Sequence, residues 1–116
     1  ALPANLEPLA IRRARFSQWV FDLEHRHLVD PGGRVVVLSG AEFRLLRVFV
    51  GHANKVLSRE QLVSLSSGRN YESQDRAIDL QVSRLRNKLA DDGGSDGLIK
   101  TVRNEGYVLA TAVTLE

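Results

Sequence analysis

Residues 75–89, with the sequence DRAIDLQVSRLRNKL, decide the fold because their apolar side chains repeat at helical spacing. On a helix of about 3.6 residues per turn, one side carries a continuous apolar stripe that consists of Ile78, Val82, Leu85 and Leu89. The opposite side is polar apart from one leucine and carries Arg76, Leu80, Ser83, Arg84 and Asn87, with Gln81 and Arg86 at its flanks. The pattern predicts an amphipathic helix over 75–89 with one face in a core and the other open to a partner.

The polar face of this helix suits the edges of DNA bases. Arg, Gln, Ser and Asn side chains supply the donors and acceptors that recognise base pairs in a major groove. Residues 100–108 (KTVRNEGYV) then predict a tight hairpin with a basic strand end, on which Thr101 and Arg103 share one face. An exposed polar helix followed by a basic hairpin indicates a winged helix-turn-helix that binds DNA.

Composition permits this interpretation and excludes several others. The chain has 116 residues, enough for one domain with its own core. Its net charge of +2 is modest and does not by itself indicate a nucleic-acid partner. Cysteine is absent, which excludes disulfides and thiolate metal sites. Because no apolar run approaches membrane-spanning length and no signal-peptide pattern is present, we expect a cytoplasmic protein with no membrane partner.

The sequence offers little support for catalysis or for a cofactor. It contains no recognisable nucleophile elbow and no glycine-rich phosphate loop. The acids Asp91, Asp92 and Asp96 stand among glycines, but they lack the spacing and the closing glutamate of a calcium loop. His25 and His27 would share a face if they lay on one strand, yet two histidines without a third ligand favour a hairpin turn instead. We therefore expect no enzyme, no cofactor and no metal site.

The N-terminal third of the chain predicts a linker and then a small sheet. Residues 1–10 include two prolines, which favour a linker or disordered segment. Within 11–38, Trp19, Phe21 and Leu23 alternate as on a strand buried on one face, and the DPGG segment at 30–33 is a strong turn signal. We predict one domain over 11–116, with an antiparallel sheet over 11–38.

Two capping boxes predict two further helices within 39–90. Ser39 with Glu42 begins the first helix, which residues 51–54 end. Ser58 with Gln61 begins the second. We expect its Leu62 and Leu65 in the core, a polar loop over 66–73, and a wing hairpin over 98–112. The predicted fold class is α+β, with an N-terminal antiparallel sheet, a three-helix core and a C-terminal hairpin.

Four motifs in order resemble the effector domain of OmpR/PhoB-type response regulators. The resemblance runs from Phe16 to Val113, and its motifs lie within 19–46, 56–62, 75–89 and 99–108. It implies a winged helix whose third helix enters the major groove and whose hairpin is the wing. One position departs from the pattern, since Asn104 stands where the wing tip commonly has glycine. Asparagine tolerates left-handed φ, so we expect the turn to persist.

The resemblance also assigns roles to single residues. It implies that Arg84 reaches base edges, while Arg76 and Arg86 hold phosphates. It implies that Thr101 and Arg103 touch the DNA backbone and that Arg103 can enter the minor groove. The alternative for Arg76, Arg84 and Arg86 is that they only form a solvent-exposed helix face. The hairpin and the four motifs favour DNA contact over this alternative. The predicted DNA-binding residues are Arg76, Leu80, Gln81, Ser83, Arg84, Arg86, Asn87, Thr101 and Arg103.

Further partners are implied by the resemblance alone. The loop between the second and third helices can contact RNA polymerase in the family, and the residues concerned here are Arg69, Asn70, Tyr71 and Glu72; an idle connector is the alternative. The resemblance implies an N-terminal receiver domain, a sensor kinase that phosphorylates it, and head-to-tail dimers on direct repeats. Two alternatives remain open: the output domain of a membrane-anchored activator without a receiver, and a winged-helix module that binds protein.

Overall fold

A computed structural model describes residues 12–67, 71–89 and 98–116 of the chain; of residues 67 and 71–77 it describes the backbone alone. In chain order the elements are β1 (Arg13–Phe16), β2 (Trp19–Asp22), β3 (His27–Val29), β4 (Val35–Val37), α1 (Gly40–Gly51), α2 (Arg59–Ser67), α3 (Tyr71–Leu89), β5 (Ile99–Val102), β6 (Gly106–Leu109) and β7 (Val113–Leu115). This order confirms the predicted α+β class. The described residues group into two compact units, 12–38 with 112–116, and 39–111.

Two segments singled out by the sequence lie outside the described residues. They are the linker over 1–10 and the acidic turn that contains Asp91, Asp92 and Asp96. The assignment of 11–116 to one domain stays a prediction.

The first unit is an antiparallel sheet with the strand order β4-β3-β2-β1-β7. Ala14 pairs with Phe21, and Phe21 with Leu28, so these three side chains share one face and all are fully buried. Trp19 and Phe21 are both buried, which confirms the predicted alternation along β2. Leu23 does not continue it, because β2 ends at Asp22 and Leu23 lies half-buried in the following turn.

The turn before β4 forms as predicted. The Oδ1 atom of Asp30 accepts hydrogen bonds from the backbone N–H groups of Gly32 at 2.9 Å and Arg34 at 2.8 Å. Gly33 has a φ of 89°, a left-handed conformation that glycine adopts without strain. The Asp-Pro-Gly-Gly segment therefore reverses the chain between β3 and β4 through a side-chain acceptor and one permissive residue.

Strand β7 has no counterpart in the sequence prediction. It pairs with β1, with Phe16 opposite Val113 and Ala14 opposite Leu115. The Arg15 guanidinium donates from Nε to Oε2 of Glu116 at 2.6 Å, which adds an ion pair beside the strand. A segment of three residues has too few alternating positions to show a period, so its sequence alone does not reveal a strand.

Both predicted capping boxes are present in the second unit. The backbone N–H of Glu42 donates to Oγ of Ser39 at 3.1 Å, and the Ser39 N–H donates to Oε1 of Glu42 at 2.9 Å. The second box has the same reciprocal form, with 3.0 Å from Gln61 N–H to Ser58 Oγ and 2.9 Å from Ser58 N–H to Gln61 Oε1. Each box satisfies backbone donors that the first helical turn leaves without partners.

The core of the second unit differs from the prediction at one leucine. Leu62 is fully buried as expected, but Leu65 is 49% exposed and Val63 is buried in its place. At about 100° per residue, a face centred between Leu62 and Val63 continues at Ser66 one turn later and leaves Leu65 about 110° away. The expectation for Leu65 was wrong because the buried face of α2 includes Val63.

Helix α3 begins earlier than predicted. It starts at Tyr71 rather than at residue 75, so Tyr71 and Glu72 belong to the helix and not to the loop assigned to 66–73. No glycine or proline interrupts the sequence from Tyr71 to Leu89, and Glu72 and Gln74 are good helix formers, which explains the longer helix. Neither α3 nor any other helix in the described part of the chain is long and apolar enough to cross a membrane.

Candidate nucleic-acid interface

Helix α3 has the two faces that its spacing predicts. The apolar stripe is buried, with exposed fractions of at most 8% for Ile78, Val82, Leu85 and Leu89. On the other side, the exposed residues are Leu80, Ser83, Arg84 and Asn87, and Gln81 and Arg86 are half-buried. Arg76 lies on α3, but its side chain is outside the described residues. Burial of the stripe leaves the polar side of the helix open to a partner.

The hairpin of β5 and β6 carries the other predicted contact residues. Thr101 pairs with Tyr107 and Val102 with Gly106, and the turn between the strands spans 103–105. Thr101 and Arg103 are both exposed, but Arg103 is the first turn residue, so the two do not share a strand face as predicted. Asn104 has a φ of 67°, which confirms the left-handed turn that its sequence position suggested.

A backbone bridge holds this hairpin against the segment before α2. Leu57 N–H donates to the Tyr107 carbonyl at 2.8 Å, and Tyr107 N–H donates to the Leu57 carbonyl at 2.9 Å. The approach is close at Gly106, where an added Cβ would lie 1.9 Å from the Leu57 carbonyl oxygen. Gly106 also has a φ of 141°, so glycine is required both by space and by conformation.

Arg86 joins α3 to the hairpin. Its Nε donates to the Ile99 carbonyl at 2.9 Å, and its Nη2 donates to Oγ1 of Thr101 at 2.5 Å. Two of the three guanidinium nitrogens, Nε and Nη2, therefore have acceptors within the chain. The phosphate role that the family resemblance implies for Arg86 stays a prediction, and these contacts favour positioning of the wing.

Asp79 also links α3 to the hairpin, and the sequence analysis did not predict this role. Its Oδ1 accepts from the Tyr107 hydroxyl at 2.5 Å and from Arg59 Nε at 2.8 Å. Partial burial opposes ionisation of Asp79, but the hydrogen bonds from Tyr107 and Arg59 prevail and lower its pKa. Burial and the hydrogen bond to Asp79 raise the pKa of Tyr107. Asp79 therefore connects α2, α3 and β6 as a charged acceptor.

The Tyr107 ring strengthens the same connection. The Cζ atom of Arg59 lies 5.6 Å from the ring centroid and that of Arg86 lies 5.4 Å from it, both within cation–π range. Arg59, Asp79, Arg86 and Tyr107 thus form one polar cluster, which we call the wing-support cluster. Its members come from α2, α3 and β6, so it fixes the hairpin relative to α3.

The far end of α3 is tied to α1 by a partly buried ion pair. Lys88 Nζ lies 2.5 Å from Oε1 of Glu42, whose side chain is 5% exposed. Burial opposes ionisation of Glu42, but the hydrogen bond and charge of Lys88, with the Ser39 N–H, lower its pKa. This ion pair joins the last turn of α3 to the first turn of α1.

The residues predicted to contact RNA polymerase lie at the edge of the described part of the chain. Arg69 and Asn70 are outside it. Tyr71 and Glu72 lie in the first turn of α3, and their side chains are likewise outside the described part. The polymerase contact therefore stays a prediction.

Comparison with known proteins identifies a family. The model of the family described as "Transcriptional regulatory protein, C terminal" matches residues 33–109, about two thirds of the chain. The match covers both capping boxes, helix α3 and the whole β5–β6 hairpin.

Named relatives agree with this match. The transcriptional regulatory protein GltR of Pseudomonas aeruginosa is 37% identical over 114 residues, covering 89% of this chain and 47% of the relative. The regulatory protein VirG of Agrobacterium tumefaciens is 45% identical over 92 residues, covering 79% of this chain and 34% of the relative. The chain spans about half the length of GltR and a third of VirG.

Solved structures support the fold. The DNA-binding domain of Escherichia coli CadC has a TM-score of 0.82 at 27% identity and covers 90% of this chain and 97% of its own. The RstA DNA-binding domain of Klebsiella pneumoniae, solved in complex with the RstA box, has a TM-score of 0.74 at 35% identity, covering 85% of this chain and 97% of its own. The chain therefore shares the winged-helix fold of DNA-binding domains.

Proposed function

Because the chain belongs to the OmpR/PhoB-type family of C-terminal domains of transcriptional regulatory proteins, we propose that it is the effector domain of a response regulator. In this role it binds specific sequences of double-stranded DNA and regulates transcription. The observation that carries the proposal is the exposed polar face of α3 beside a hairpin held by the wing-support cluster.

The recognition helix, predicted over 75–89, has dimensions and chemistry that suit a major groove. Its exposed Arg84 can form two hydrogen bonds to a guanine, a contact worth about 1–3 kcal/mol of discrimination against other bases. Ser83 and Asn87 are exposed on the same side and can donate to or accept from neighbouring base edges. Arg84 is therefore our principal candidate for sequence recognition, with Gln81 at the edge of the contact.

The wing, predicted over 100–107, supplies the second contact. Arg103 is exposed in its turn, where a guanidinium can reach the DNA backbone or a narrow minor groove. The Thr101 hydroxyl is exposed as well and already accepts a hydrogen bond from Arg86. A wing held in a fixed position places these contacts at a constant distance from the recognition helix, which favours one register on the duplex.

The family resemblance supports a proposal for the binding mode. We propose that two copies bind direct repeats head to tail, with half-sites about one helical turn apart. An N-terminal receiver domain, phosphorylated by a sensor kinase, would bring two effector domains together and raise their effective concentration at a tandem site. Residues 69–72 are our proposed contact with RNA polymerase.

Two other functions are consistent with the same fold. An output domain of a membrane-anchored activator would use the same DNA contacts but have a different parent chain. A protein-binding winged helix would not depend on the exposed arginine of α3. In each case we expect no enzymatic turnover, since the family is one of DNA-binding regulator domains.

Selection of binding sites from a random duplex pool tests the proposal. The chain, its covalently tethered dimer and the Arg84→Ala variant are each selected at moderate salt. Arg47→Ala is the matched control, because Arg47 is an exposed arginine on α1 and its removal changes the net charge equally. We expect a tandem motif for the chain and the control, and loss of preference at one or two base pairs per half-site for Arg84→Ala.

Two outcomes of this selection would contradict the proposal in whole or in part. If neither the chain nor the tethered dimer enriches a motif, sequence-specific DNA binding is wrong and a protein partner becomes the leading alternative. If a motif is enriched but Arg84→Ala retains it unchanged, DNA binding stands and the assignment of base recognition to Arg84 is wrong.

A further inference from the structure

The hairpin between β2 and β3 brings together three side chains with metal-binding chemistry. Asp22 is the last residue of β2, and it pairs across the strands with His27, the first residue of β3. Paired residues of antiparallel strands project to the same face, with Cβ atoms about 4.5–5.5 Å apart. His25 lies in the connecting turn, where Arg26 adopts a left-handed φ of 58°. This turn folds His25 back toward the Asp22–His27 pair.

The ligand atoms of these residues converge. Asp22 Oδ2 lies 2.9 Å from Nδ1 of His25 and 3.8 Å from Nε2 of His27. All three ligand atoms lie within 4.8 Å of one another, and the two imidazole centroids are 5.6 Å apart. No other group of three such residues in the described part of the chain meets this condition.

The carboxylate is oriented before any ligand arrives. Its Oδ1 accepts from the backbone N–H groups of Glu24 at 3.0 Å and His25 at 2.9 Å, so Oδ2 is the oxygen that faces the rings. Asp22 and His27 are 14% and 24% exposed at their side chains, while His25 is 65% exposed. The cluster is therefore a half-buried pair with one ligand on the solvent side, through which an ion can enter.

We propose that Asp22, His25 and His27 bind a divalent transition-metal ion of the zinc class through one carboxylate oxygen and two imidazole nitrogens. Zinc binds imidazole nitrogen and carboxylate oxygen at about 2.0–2.2 Å, so its ligand atoms lie about 3.3 Å apart in a tetrahedron. The two distances from Asp22 Oδ2 fall on either side of this value. Two imidazoles favour zinc, copper or nickel over magnesium and calcium, which prefer oxygen.

Three protein ligands leave a fourth position for water or for a group from a partner. Arg13 pairs with Asp22 across β1 and β2, on the same face of the sheet, and we expect its positive charge to oppose cation binding there. The site is independent of the proposed DNA contacts, because none of its residues belongs to α3 or the wing.

The simpler alternative is that Asp22 only caps the turn. In that role Oδ1 accepts the backbone hydrogen bonds of the turn, and Oδ2 makes a hydrogen bond of 2.9 Å with Nδ1 of His25. Metal binding replaces this hydrogen bond by coordination of both atoms. Asp22→Asn keeps an oxygen that can accept the turn hydrogen bonds and removes the charge. His25→Ala removes a ligand that is mostly exposed, so the fold should persist, and the amide NMR spectrum of each variant checks that it does.

Titration of the untagged, chelator-treated chain with Zn²⁺ and with Co²⁺ tests the site. We expect one ion per chain by calorimetry and the visible absorption bands of tetrahedral cobalt. Long-range ¹H–¹⁵N spectra should show the metal on Nδ1 of His25 and on Nε2 of His27. We expect His25→Ala and Asp22→Asn to weaken binding at least about tenfold, since loss of even an outer-shell partner of a metal ligand costs about 10–100-fold in affinity.

Two matched controls separate coordination from general attraction. Glu24→Gln removes a negative charge from the same turn without removing a ligand, and His52→Ala removes the remaining histidine of the chain. We expect both to bind as the parent does. Absence of stoichiometric binding by the parent, or binding that His25→Ala leaves unchanged, would overturn the proposal.

Discussion

Arg86 on the recognition helix donates a hydrogen bond from Nη2 to Oγ1 of Thr101 on the wing, at 2.5 Å. The family resemblance gives these residues separate DNA contacts, but in the free chain each is the partner of the other. Arg86 also donates to the Ile99 carbonyl, so it connects α3 to β5 through backbone as well as side chain. The wing is therefore positioned in the free chain, and its positioning depends on α3, the helix that we propose reads the DNA sequence.

The first prediction concerns what Arg86 contributes to DNA binding. We expect Arg86→Ala to lower affinity for the selected site and to destabilise the fold by about 1–3 kcal/mol, because two acceptors, the Ile99 carbonyl and the Thr101 hydroxyl, lose their charged donor. If Arg86 only positions the wing, the slope of log affinity against log salt stays as in the parent. A lost phosphate contact would instead reduce that slope by about 0.9.

Affinity measured across a salt series distinguishes these roles, with Arg47→Ala as the control for net charge. A slope reduced by about one unit in Arg86→Ala, with Arg47→Ala unchanged, would show that Arg86 holds a phosphate in the complex. The positioning role would then be wrong or secondary.

The second prediction concerns the close contact at Gly106. We expect Gly106→Ala to destabilise the chain by at least about 2 kcal/mol, because a Cβ would meet the Leu57 carbonyl oxygen at 1.9 Å and the φ of 141° is unfavourable for alanine. Gly51→Ala is the control, since nothing lies within 4 Å of its added Cβ at the end of α1. Urea unfolding of both variants should show a large loss for Gly106→Ala and a gain of at most about 1 kcal/mol for Gly51→Ala. Equal stability of the two would contradict the close approach of the hairpin to Leu57.

Most of the fold was predictable because local signals are explicit in the sequence. The capping boxes at Ser39 and Ser58 fix two helix starts, and the apolar stripe of α3 fixes its buried face. The burial of a single side chain was less predictable where it depends on packing against other elements. Leu65 looks like a core residue by spacing from Leu62, but Val63 turns the buried face of α2 away from it.

In the candidate site, the sequence predicted which residues are exposed but not which side chains contact one another. Exposure of Arg84 follows from the helical period alone. The contacts of Asp79 do not, because its partners Arg59 and Tyr107 are 20 and 28 residues away in sequence. The Asp22–His25–His27 cluster is hidden for a related reason: the sequence presents the histidines as a pair, and the third ligand comes from the opposite strand. Only the pairing of Asp22 with His27 across the hairpin reveals it.

The third prediction concerns the dependence of stability on pH. The folded-state pKa of Glu42 lies below its ordinary value of 4.5, so its contribution is complete above that pH and is lost as pH falls through the folded pKa. We expect Glu42→Gln to cost about 1–3 kcal/mol at neutral pH, because Gln keeps a capping oxygen but loses the charge that pairs with Lys88. The difference from the parent should shrink as pH falls below 4.5.

Urea unfolding at a series of pH values checks this, with Glu105→Gln as the control at an exposed turn position. We expect the control to stay within about 0.5 kcal/mol of the parent at every pH. A deficit in Glu42→Gln that persists undiminished in acid would mean that the carboxylate charge is not what stabilises this site.

The fourth prediction concerns Leu80, which is 51% exposed on the recognition face of α3. We expect Leu80→Ala to change stability by less than about 0.5 kcal/mol but to weaken binding to the selected DNA. Leu65→Ala is the matched control, because Leu65 is 49% exposed on α2 and is not among the predicted contacts.

If Leu80→Ala weakens DNA binding, changes to the DNA can distinguish two explanations. If Leu80 packs on a thymine methyl group, replacing that thymine by deoxyuridine should weaken the parent by about 0.8 kcal/mol and leave Leu80→Ala unaffected. If it packs on a sugar edge, no thymine-to-deoxyuridine exchange distinguishes the parent from the variant. Unchanged affinity in Leu80→Ala would remove Leu80 from the interface, and its exposure would then require a partner other than DNA or none.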